Sequence, residues 1–338
     1  MKAVVLEQFG PPEVLKYGDV GDLKPKQDEV LIKVVAAGVN RVDVWIRTGK
    51  YKVQLPHVLG VDVAGEVVSS PAPQLKEGDR VVVFPDMPCG RCRFCMSGRF
   101  QLCPNGSRLG SSRWGGYAEF VTAPAQTVIP VPGGLSLEEA AALPVNYCTA
   151  WHALITDAGI GPGMKVLVVG GSSGVGIAAT QIACLCGAEV ISIVGDDWKE
   201  ERAYRVGASL VLNRKKTSVV EEVMKATAGE GVEIVLEMAG TPFWEQALQC
   251  LAPGGTLVTV GATAGDIVSF NVRPFYRKYQ RIIGSGMGTQ SEFLKVLELA
   301  GKGRLRPVID KIFSLREATE AHRRLEAGEH FGKILLRP

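Results

Sequence analysis

The sequence predicts an α/β protein of two domains, in which a strand-rich domain is joined to a doubly wound parallel sheet. Three observations support this fold class. The chain has 338 residues, more than one hydrophobic core comfortably accommodates. Hydrophobic residues make up 46% of it and charged residues 22%, as in globular proteins. The spacing of its apolar runs changes at Lys165, which indicates two architectures rather than one.

Residues 1 to about 146 contain short runs of β character, such as EVLIKVVAAG, DRVVVF and GYAEFVTA, that glycine and proline interrupt. From Lys165 onward, six apolar runs recur with helical or turn segments between them: KVLVVG, EVISIV, LVLN, EIVLEMAG, TLVTVG and RIIGSGM. This alternation is typical of a parallel sheet whose strands are buried on both faces. After Gly288, two segments of helical spacing precede a last strand, GKILL.

The first two of the six runs are joined by a glycine-rich turn and a helix, in the stretch VLVVGGSSGVGIAATQIACLCGA. In this setting the glycine pattern predicts a dinucleotide site, because the free N–H groups of the helix point at a pyrophosphate. Gly171 permits the tight turn, Gly174 allows the backbone to approach the phosphates, and Gly176 lets the helix pack against the strand. A turn that binds no nucleotide is the alternative. The predicted cofactor-binding residues are Gly171, Ser173, Gly174, Val175, Gly176, Gly195, Lys199, Asn213 and Gly261.

The choice between NADP(H) and NAD(H) depends on the tip of the second strand, where NAD-specific folds place a carboxylate on the ribose hydroxyls. Here Gly195 follows the strand, and no carboxylate stands at its tip. Lys199 and Arg202 are near enough in sequence to contact a 2′-phosphate, so the sequence favours NADP(H). Asp196 and Asp197 come next in the chain and argue for NAD(H), which remains the alternative.

Four of the eight cysteines, Cys89, Cys92, Cys95 and Cys103, lie in one segment, CGRCRFCMSGRFQLC. Spacings of two residues let consecutive thiolates converge on one tetrahedral ion, and the longer gap brings back the fourth. Zinc is the predicted metal. An iron–sulfur cluster is the alternative, although its usual last gap is three residues. Because four thiolates leave no position open to a substrate, the predicted zinc is structural.

The overall charge argues against a nucleic-acid partner, since the formal net charge is +3 and no long block of Lys and Arg occurs. The N-terminal apolar run is too short for a signal peptide, and no segment reaches the roughly 18 apolar residues of a membrane span. We therefore expect a cytoplasmic protein with neither nucleic acid nor membrane as a partner. In a reducing compartment, clustered cysteines indicate metal rather than disulfides.

The chain resembles the medium-chain dehydrogenase/reductase superfamily, the group related to the zinc-type alcohol dehydrogenases. The resemblance rests on PHVLGVDVAGEVV, EGDRVVVF, the four-cysteine segment, GGYAEF, NYCTAW and HFGKILL, and it covers nearly the whole chain. It implies a GroES-like catalytic domain over residues 1–146 and 290–338 and a Rossmann domain over residues 147–289. It also implies a structural zinc on the four cysteines, and a homodimer or homotetramer that pairs through the last Rossmann strand, here RIIGSGM.

The chain departs from the zinc-dependent alcohol dehydrogenases of this superfamily at their second, catalytic zinc. The resemblance places Asn40, Val61 and Val145 where those enzymes have a Cys, a His and a Cys as ligands. Two of these three side chains are hydrocarbon and cannot bind a metal. Cys148 and Asp62 lie near in sequence but out of register. A zinc-dependent alcohol dehydrogenase with relocated ligands is therefore the alternative.

The segment GVNRVDVWIRTGKY is instead similar to the quinone oxidoreductase branch, which lacks catalytic zinc and generally uses NADPH. This resemblance implies hydride transfer to a ketone, enone or quinone, substrates that spread the developing negative charge without a Lewis acid. The candidate catalytic residues are Asn40 and Tyr51, as hydrogen-bond donors, and Thr149, which matches the family's nicotinamide-contacting Thr and would position the coenzyme. A turn role for Asn40 and a surface position on a loop for Tyr51 are the alternatives. Asp43 is expected to anchor the backbone rather than act as a base. A non-catalytic relative that binds nucleotide or RNA is the alternative from another class.

Overall fold

A computed structural model describes residues 1–338, and in it the chain divides into two units. The first unit comprises Met1–Val145 and Thr289–Pro338, and the second comprises Asn146–Gly288. Each division lies one residue before the corresponding predicted boundary. The chain therefore leaves the first unit, forms the whole of the second, and then returns to the first.

The strands are, in chain order, β1 (Lys2–Leu6), β2 (Leu15–Asp19), β3 (Glu29–Val39), β4 (His57–Val58), β5 (Asp62–Ser69), β6 (Arg80–Val83), β7 (Asp86–Met87), β8 (Ser107–Arg108), β9 (Phe120–Pro124), β10 (Val128–Pro130), β11 (Lys165–Val169), β12 (Glu189–Val194), β13 (Leu210–Asn213), β14 (Val232–Glu237), β15 (Leu251–Thr259), β16 (Arg281–Gly284), β17 (Ile309–Ser314) and β18 (Lys333–Arg337).

The helices are α1 (Arg41–Arg47), α2 (Arg93–Met96), α3 (Leu137–Ala141), α4 (Pro144–Trp151), α5 (Gly174–Leu185), α6 (Glu200–Arg205), α7 (Val219–Ala226), α8 (Trp244–Gln249), α9 (Val272–Arg277), α10 (Gln290–Gly301) and α11 (Ala318–Ala327). A π-helical segment, His152–Asp157, continues α4. None of these helices has the length and hydrophobicity that crossing a bilayer requires.

The main sheet of the first unit is built around β3, its longest strand. The strand order is β10-β6-β5-β3-β18-β17, with β9 also paired to β3, and β2-β1-β4 form a smaller sheet. The C-terminal strand β18 pairs antiparallel with β3, and this register sets Ile334 opposite Val39. Residues near the end of the chain therefore lie beside the loop that follows β3.

The second unit contains the predicted doubly wound sheet, with six parallel strands in the order β13-β12-β11-β14-β15-β16. The six apolar runs of the sequence supply these six strands, which confirms the predicted fold class. Five of the six residues of β12 are buried, because helices cover both faces of such a sheet. The strand order reverses between β11 and β14, and the carboxyl edge at that reversal is where sheets of this kind bind ligands.

Candidate active site

The turn between β11 and α5 has the geometry of a phosphate-binding turn. β11 ends at Val169, and α5 begins at Gly174, after the N-cap residue Ser173. Ser173 Oγ accepts a hydrogen bond from the N–H of Gly176 at 3.0 Å. The remaining N–H groups of the first helical turn have no partner within the helix and give it a positive end. Gly170 has a φ of +83°, a left-handed conformation that favours glycine.

Three predicted glycines of this turn are required by their packing. A Cβ at Gly171 would overlap Ser192 Oγ, and a Cβ at Gly176 would overlap a backbone carbonyl of the turn. A Cβ at Gly174 would overlap the side-chain amide of Asn146. The space beside Gly174 is thus filled by an amide, not by open solvent. Sequence reasoning missed Asn146, because no local pattern brings residue 146 to this turn.

Both acids that follow β12 are neutralised by lysines. Lys215 Nζ lies 2.5 Å from Asp196, and Lys216 Nζ lies 2.6 Å from Asp197. These hydrogen bonds hold the pKa of each carboxyl below its usual range. The Asn213 amide also donates to Asp197, at 2.6 Å. The two carboxylates that argued for NAD(H) are therefore ion-paired within the protein.

Arg214, which sequence reasoning did not single out, lies at the tip of β12. The register pairs Val194 with Asn213, so the next residues, Gly195 and Arg214, leave the sheet at the same edge. A Cβ on Gly195 would lie 3.4 Å from the guanidinium of Arg214. That guanidinium also lies over the ring of Phe243, at 5.4 Å. The strand register was the signal that could have identified this arginine.

The other predicted cofactor residues occupy varied positions in the second unit. Val175 is in the first turn of α5, and Gly261 follows β15 at the carboxyl edge of the sheet. Lys199 is buried, and its Nζ lies 3.7 Å from Asp196. Burial lowers the pKa of Lys199. An exposed cation for a phosphate is thus better supplied by Arg214.

The four cysteines of the lobe formed by residues 89–103 converge. Their four Sγ atoms all lie within 4.8 Å of one another. Cys92 Sγ is 3.5 Å from Cys95 Sγ and 3.8 Å from Cys103 Sγ. A zinc ion with Zn–S bonds of about 2.3 Å separates its sulfurs by about 3.8 Å, so this cluster fits a tetrahedral zinc. The N–H of Arg91 lowers the pKa of Cys89 to about 6, which favours the thiolate that a metal binds.

Asn40 is the N-cap of α1, and the Asp43 carboxylate binds the backbone N–H groups of both Asn40 and Gly60. Asp43 Oδ2 accepts the N–H of Asn40 at 2.8 Å, and Asp43 Oδ1 accepts the N–H of Gly60 at 3.1 Å. Asp43 therefore ties the start of α1 to the loop before β5. Burial raises its pKa to about 7.

Asn40, Asp62 and Lys333 form a buried group that we call the amide–ion cluster. Lys333 Nζ is 2.6 Å from Asn40 Oδ1 and 2.6 Å from Asp62 Oδ2. Asn40 Nδ2 donates to Asp62 Oδ2 at 3.0 Å and to the carbonyl of Gly38 at 3.3 Å. Asp62 Oδ1 accepts the N–H of Val145 at 3.0 Å. None of the three side chains is more than 5% exposed.

Hydrocarbon side chains stand at the other two places that the resemblance assigns to ligands of a catalytic zinc. Val61 is buried and Val145 is half-buried. Across the chain, the four cysteines of the lobe are the one group of three or more Cys, His, Asp or Glu close enough to hold a metal ion. Asp62 and Cys148, the residues weighed for a relocated site, belong to no such group.

Neither Tyr51 nor Thr149 contributes a hydrogen bond to the amide–ion cluster. Tyr51 follows α1, is 48% exposed, and packs edge-on against Trp45 with 5.4 Å between ring centroids. Lys50 Nζ lies over the same tryptophan ring, at 5.4 Å. Thr149 is buried in α4 and belongs to the second unit. Of the three candidate catalytic residues, Asn40 is the one that belongs to the amide–ion cluster.

The two units define a class of protein, in which a GroES-like domain is joined to a dinucleotide-binding Rossmann domain. The family model for the alcohol dehydrogenase GroES-like domain matches residues 26–133. The model for the zinc-binding dehydrogenase domain matches residues 174–302. The first match lies within the first unit, and the second covers most of the second unit and runs on into the residues that return to the first.

Similar proteins come from two named groups of enzymes. Human quinone oxidoreductase is 33% identical over 99% of this chain and 97% of its own length. An NAD-dependent alcohol dehydrogenase of Sulfolobus acidocaldarius is also 33% identical, over 100% of this chain and 99% of its own. A crystal structure of an NAD-dependent alcohol dehydrogenase superposes with a TM-score of 0.95 at 36% identity, covering all of both chains. The chain therefore belongs to the medium-chain dehydrogenase/reductase superfamily of oxidoreductases.

Proposed function

We propose that this chain is an NADP(H)-dependent oxidoreductase that reduces a ketone, enone or quinone, with one structural zinc and no catalytic zinc. The amide–ion cluster is the observation that carries the proposal. An ammonium, an amide and a carboxylate bind one another at the end of β3, while Val61 and Val145 offer hydrocarbon. Hydrocarbon side chains do not ligate a metal.

The second unit supports a nicotinamide coenzyme that carries a 2′-phosphate. The coenzyme supplies the hydride when it is bound. The N–H groups at the start of α5 suit its pyrophosphate, and the guanidinium of Arg214 beside Gly195 suits a phosphate on the ribose. Because Asp196 and Asp197 are already paired with lysines, they need not repel that phosphate.

The polar groups of the first unit favour carbonyl substrates that delocalise charge. A zinc Lewis acid stabilises a developing alkoxide by several kcal/mol, and here the Lys333 ammonium, which has one N–H group to spare, must do this work. Such donors stabilise an oxyanion less than a divalent metal does. Enones, quinones and aryl ketones are therefore better substrates for this cluster than simple aliphatic aldehydes.

The lobe around the four cysteines supports a structural zinc, since four thiolates complete a tetrahedral ion. We further propose a homodimer or homotetramer. β16 is one of the two edge strands of the parallel sheet, and the outer backbone groups of an edge strand are open to pairing with a second copy.

A second candidate is NAD(H)-dependent oxidation of alcohols on a catalytic zinc, which the names of the archaeal relatives favour. One experiment separates the two. Initial rates are measured on quinones, enones, aryl ketones and aliphatic aldehydes with NADPH and NADH in parallel, and zinc is counted per chain. We expect faster reduction with NADPH and one zinc. Two zinc ions, with activity lost to a chelator before the fold is lost, would establish the second candidate.

A further inference from the structure

Lys333 is the one cation of the amide–ion cluster, and the fold makes room for it. It begins β18, next to the end of β3, and is 3% exposed. A Cβ at Gly38 would overlap Lys333 Cε, so the lysine side chain passes over the one residue at the end of β3 that has no side chain of its own. Because a buried ion pair is weak evidence for stability, its presence here calls for another explanation.

One N–H group of the Lys333 ammonium is not used by the two hydrogen bonds that the lysine makes. An ammonium has three N–H groups, and those of Lys333 have two acceptors in the protein, Asn40 Oδ1 and Asp62 Oδ2. Lys333 also fixes the orientation of the Asn40 amide, because only the amide oxygen can face an ammonium. The amide nitrogen then faces Asp62 Oδ2 and the carbonyl of Gly38.

We infer that Lys333 supplies the positive charge of the reaction centre and acts on the substrate oxygen with its own ammonium. Its ammonium locks the Asn40 amide in one orientation and places a positive charge beside it. Both amide N–H groups of Asn40 are already donated, so negative charge that develops on a carbonyl oxygen beside Asn40 is stabilised by the Lys333 ammonium and its remaining N–H group. Asp62 keeps the ammonium in place by accepting one of its N–H groups. The inference rests on the proposed function, which puts the carbonyl at Asn40.

The inference is tested with Lys333→Met, which keeps the length of the side chain and removes its charge, and with Lys333→Arg, which keeps the charge. We measure kcat and KM for the best carbonyl substrate and the Kd of the coenzyme. Lys333→Met should lower kcat about 100-fold, a typical loss for one preorganised donor, while the coenzyme Kd changes less than twofold. Lys333→Arg should recover part of the lost kcat. A folded Lys333→Met protein with kcat within twofold of wild type would overturn the inference.

Lys333→Met leaves Asp62 buried without its cation and can fail to fold, so the double variant Asp62→Asn/Lys333→Met is measured beside it. The double variant has no unpaired charge. If the Lys333 charge acts on the substrate, the double variant folds and stays slow; if the pair is only structural, it folds and regains wild-type kcat. Lys302→Met, in an exposed pair with Glu298, is the control and should match wild type. A wild-type protein that reduces no carbonyl would overturn the proposed function itself, before any variant is compared.

Discussion

The four-cysteine lobe and the amide–ion cluster both gather polar side chains around one point, but they draw them from the chain differently. The lobe takes all its ligands from residues 89–103, and it fits a metal ion. The cluster takes one side chain each from positions 40, 62 and 333, and its positive charge is a lysine. The comparison shows that a site within one segment can be predicted from spacing, whereas a site assembled from distant strands requires the sheet register.

The largest effect is expected at the lobe, where Cys95→Ser removes one of four zinc ligands. Structural zinc contributes folding free energy directly, so we expect zinc to fall from one per chain toward zero and the lobe to unfold. Metal analysis and thermal unfolding measure this. Cys184→Ser, which changes an exposed cysteine of α5, is the control and should keep its zinc. A Cys95→Ser protein with full zinc would show that the lobe is not the metal site.

The next largest effect is expected at Asp43, which anchors Asn40 and Gly60. Asp43→Ala leaves two buried N–H groups without their acceptor, and each unsatisfied buried group costs about 1–3 kcal/mol. We expect the free energy of unfolding to fall by about 3 kcal/mol in urea titration. A loss below about 0.5 kcal/mol would mean that the loop before β5 does not depend on this carboxylate.

A smaller effect is expected at Arg214. Its position depends on the pairing of two neighbouring strands, so it stands between the one-segment lobe and the cluster that draws on distant positions. Arg214→Ala should raise the KM for NADPH about tenfold, the loss of one charge-assisted hydrogen bond, and leave the KM for NADH unchanged. Arg202→Ala is the matched variant, since that guanidinium lies over Trp198. If Arg202→Ala alone weakens NADPH binding, the phosphate contact belongs to the residue first predicted from the sequence.

The last effect is a pH dependence of stability that arises from Asp43. Burial raises the pKa of Asp43 from 3.8 to about 7, and Lys333 and Asp62 are the nearby charges. Between about pH 4 and 7 the folded state holds a proton that the unfolded state has lost, so stability falls as pH rises through this window and then levels off. Thermal unfolding of wild type and Asp43→Asn across this range isolates the contribution. Equal slopes for the two proteins would place the pKa of Asp43 near its ordinary value.

The sequence predicted most of the second unit, because apolar strands and a glycine-rich turn are local patterns. The same holds for the cysteine lobe. It did not predict that Lys333 would bind Asn40, since GKILL looks like an ordinary terminal strand until β18 is paired with β3. Asn146 and Arg214 were missed for the same reason: each acquires its neighbours through packing or register rather than through adjacent residues.

Because the chain returns to the first unit at its end, the second unit can be completed before the first during translation. β3 emerges from the ribosome early, yet its partner β18 is translated only after the whole second unit. Domains tend to fold as units while translation proceeds, so the Rossmann sheet can close first, while residues 37–39 of β3 still lack their partner strand. Nascent chains arrested before residue 333 should therefore bind a nicotinamide dinucleotide although they lack the amide–ion cluster.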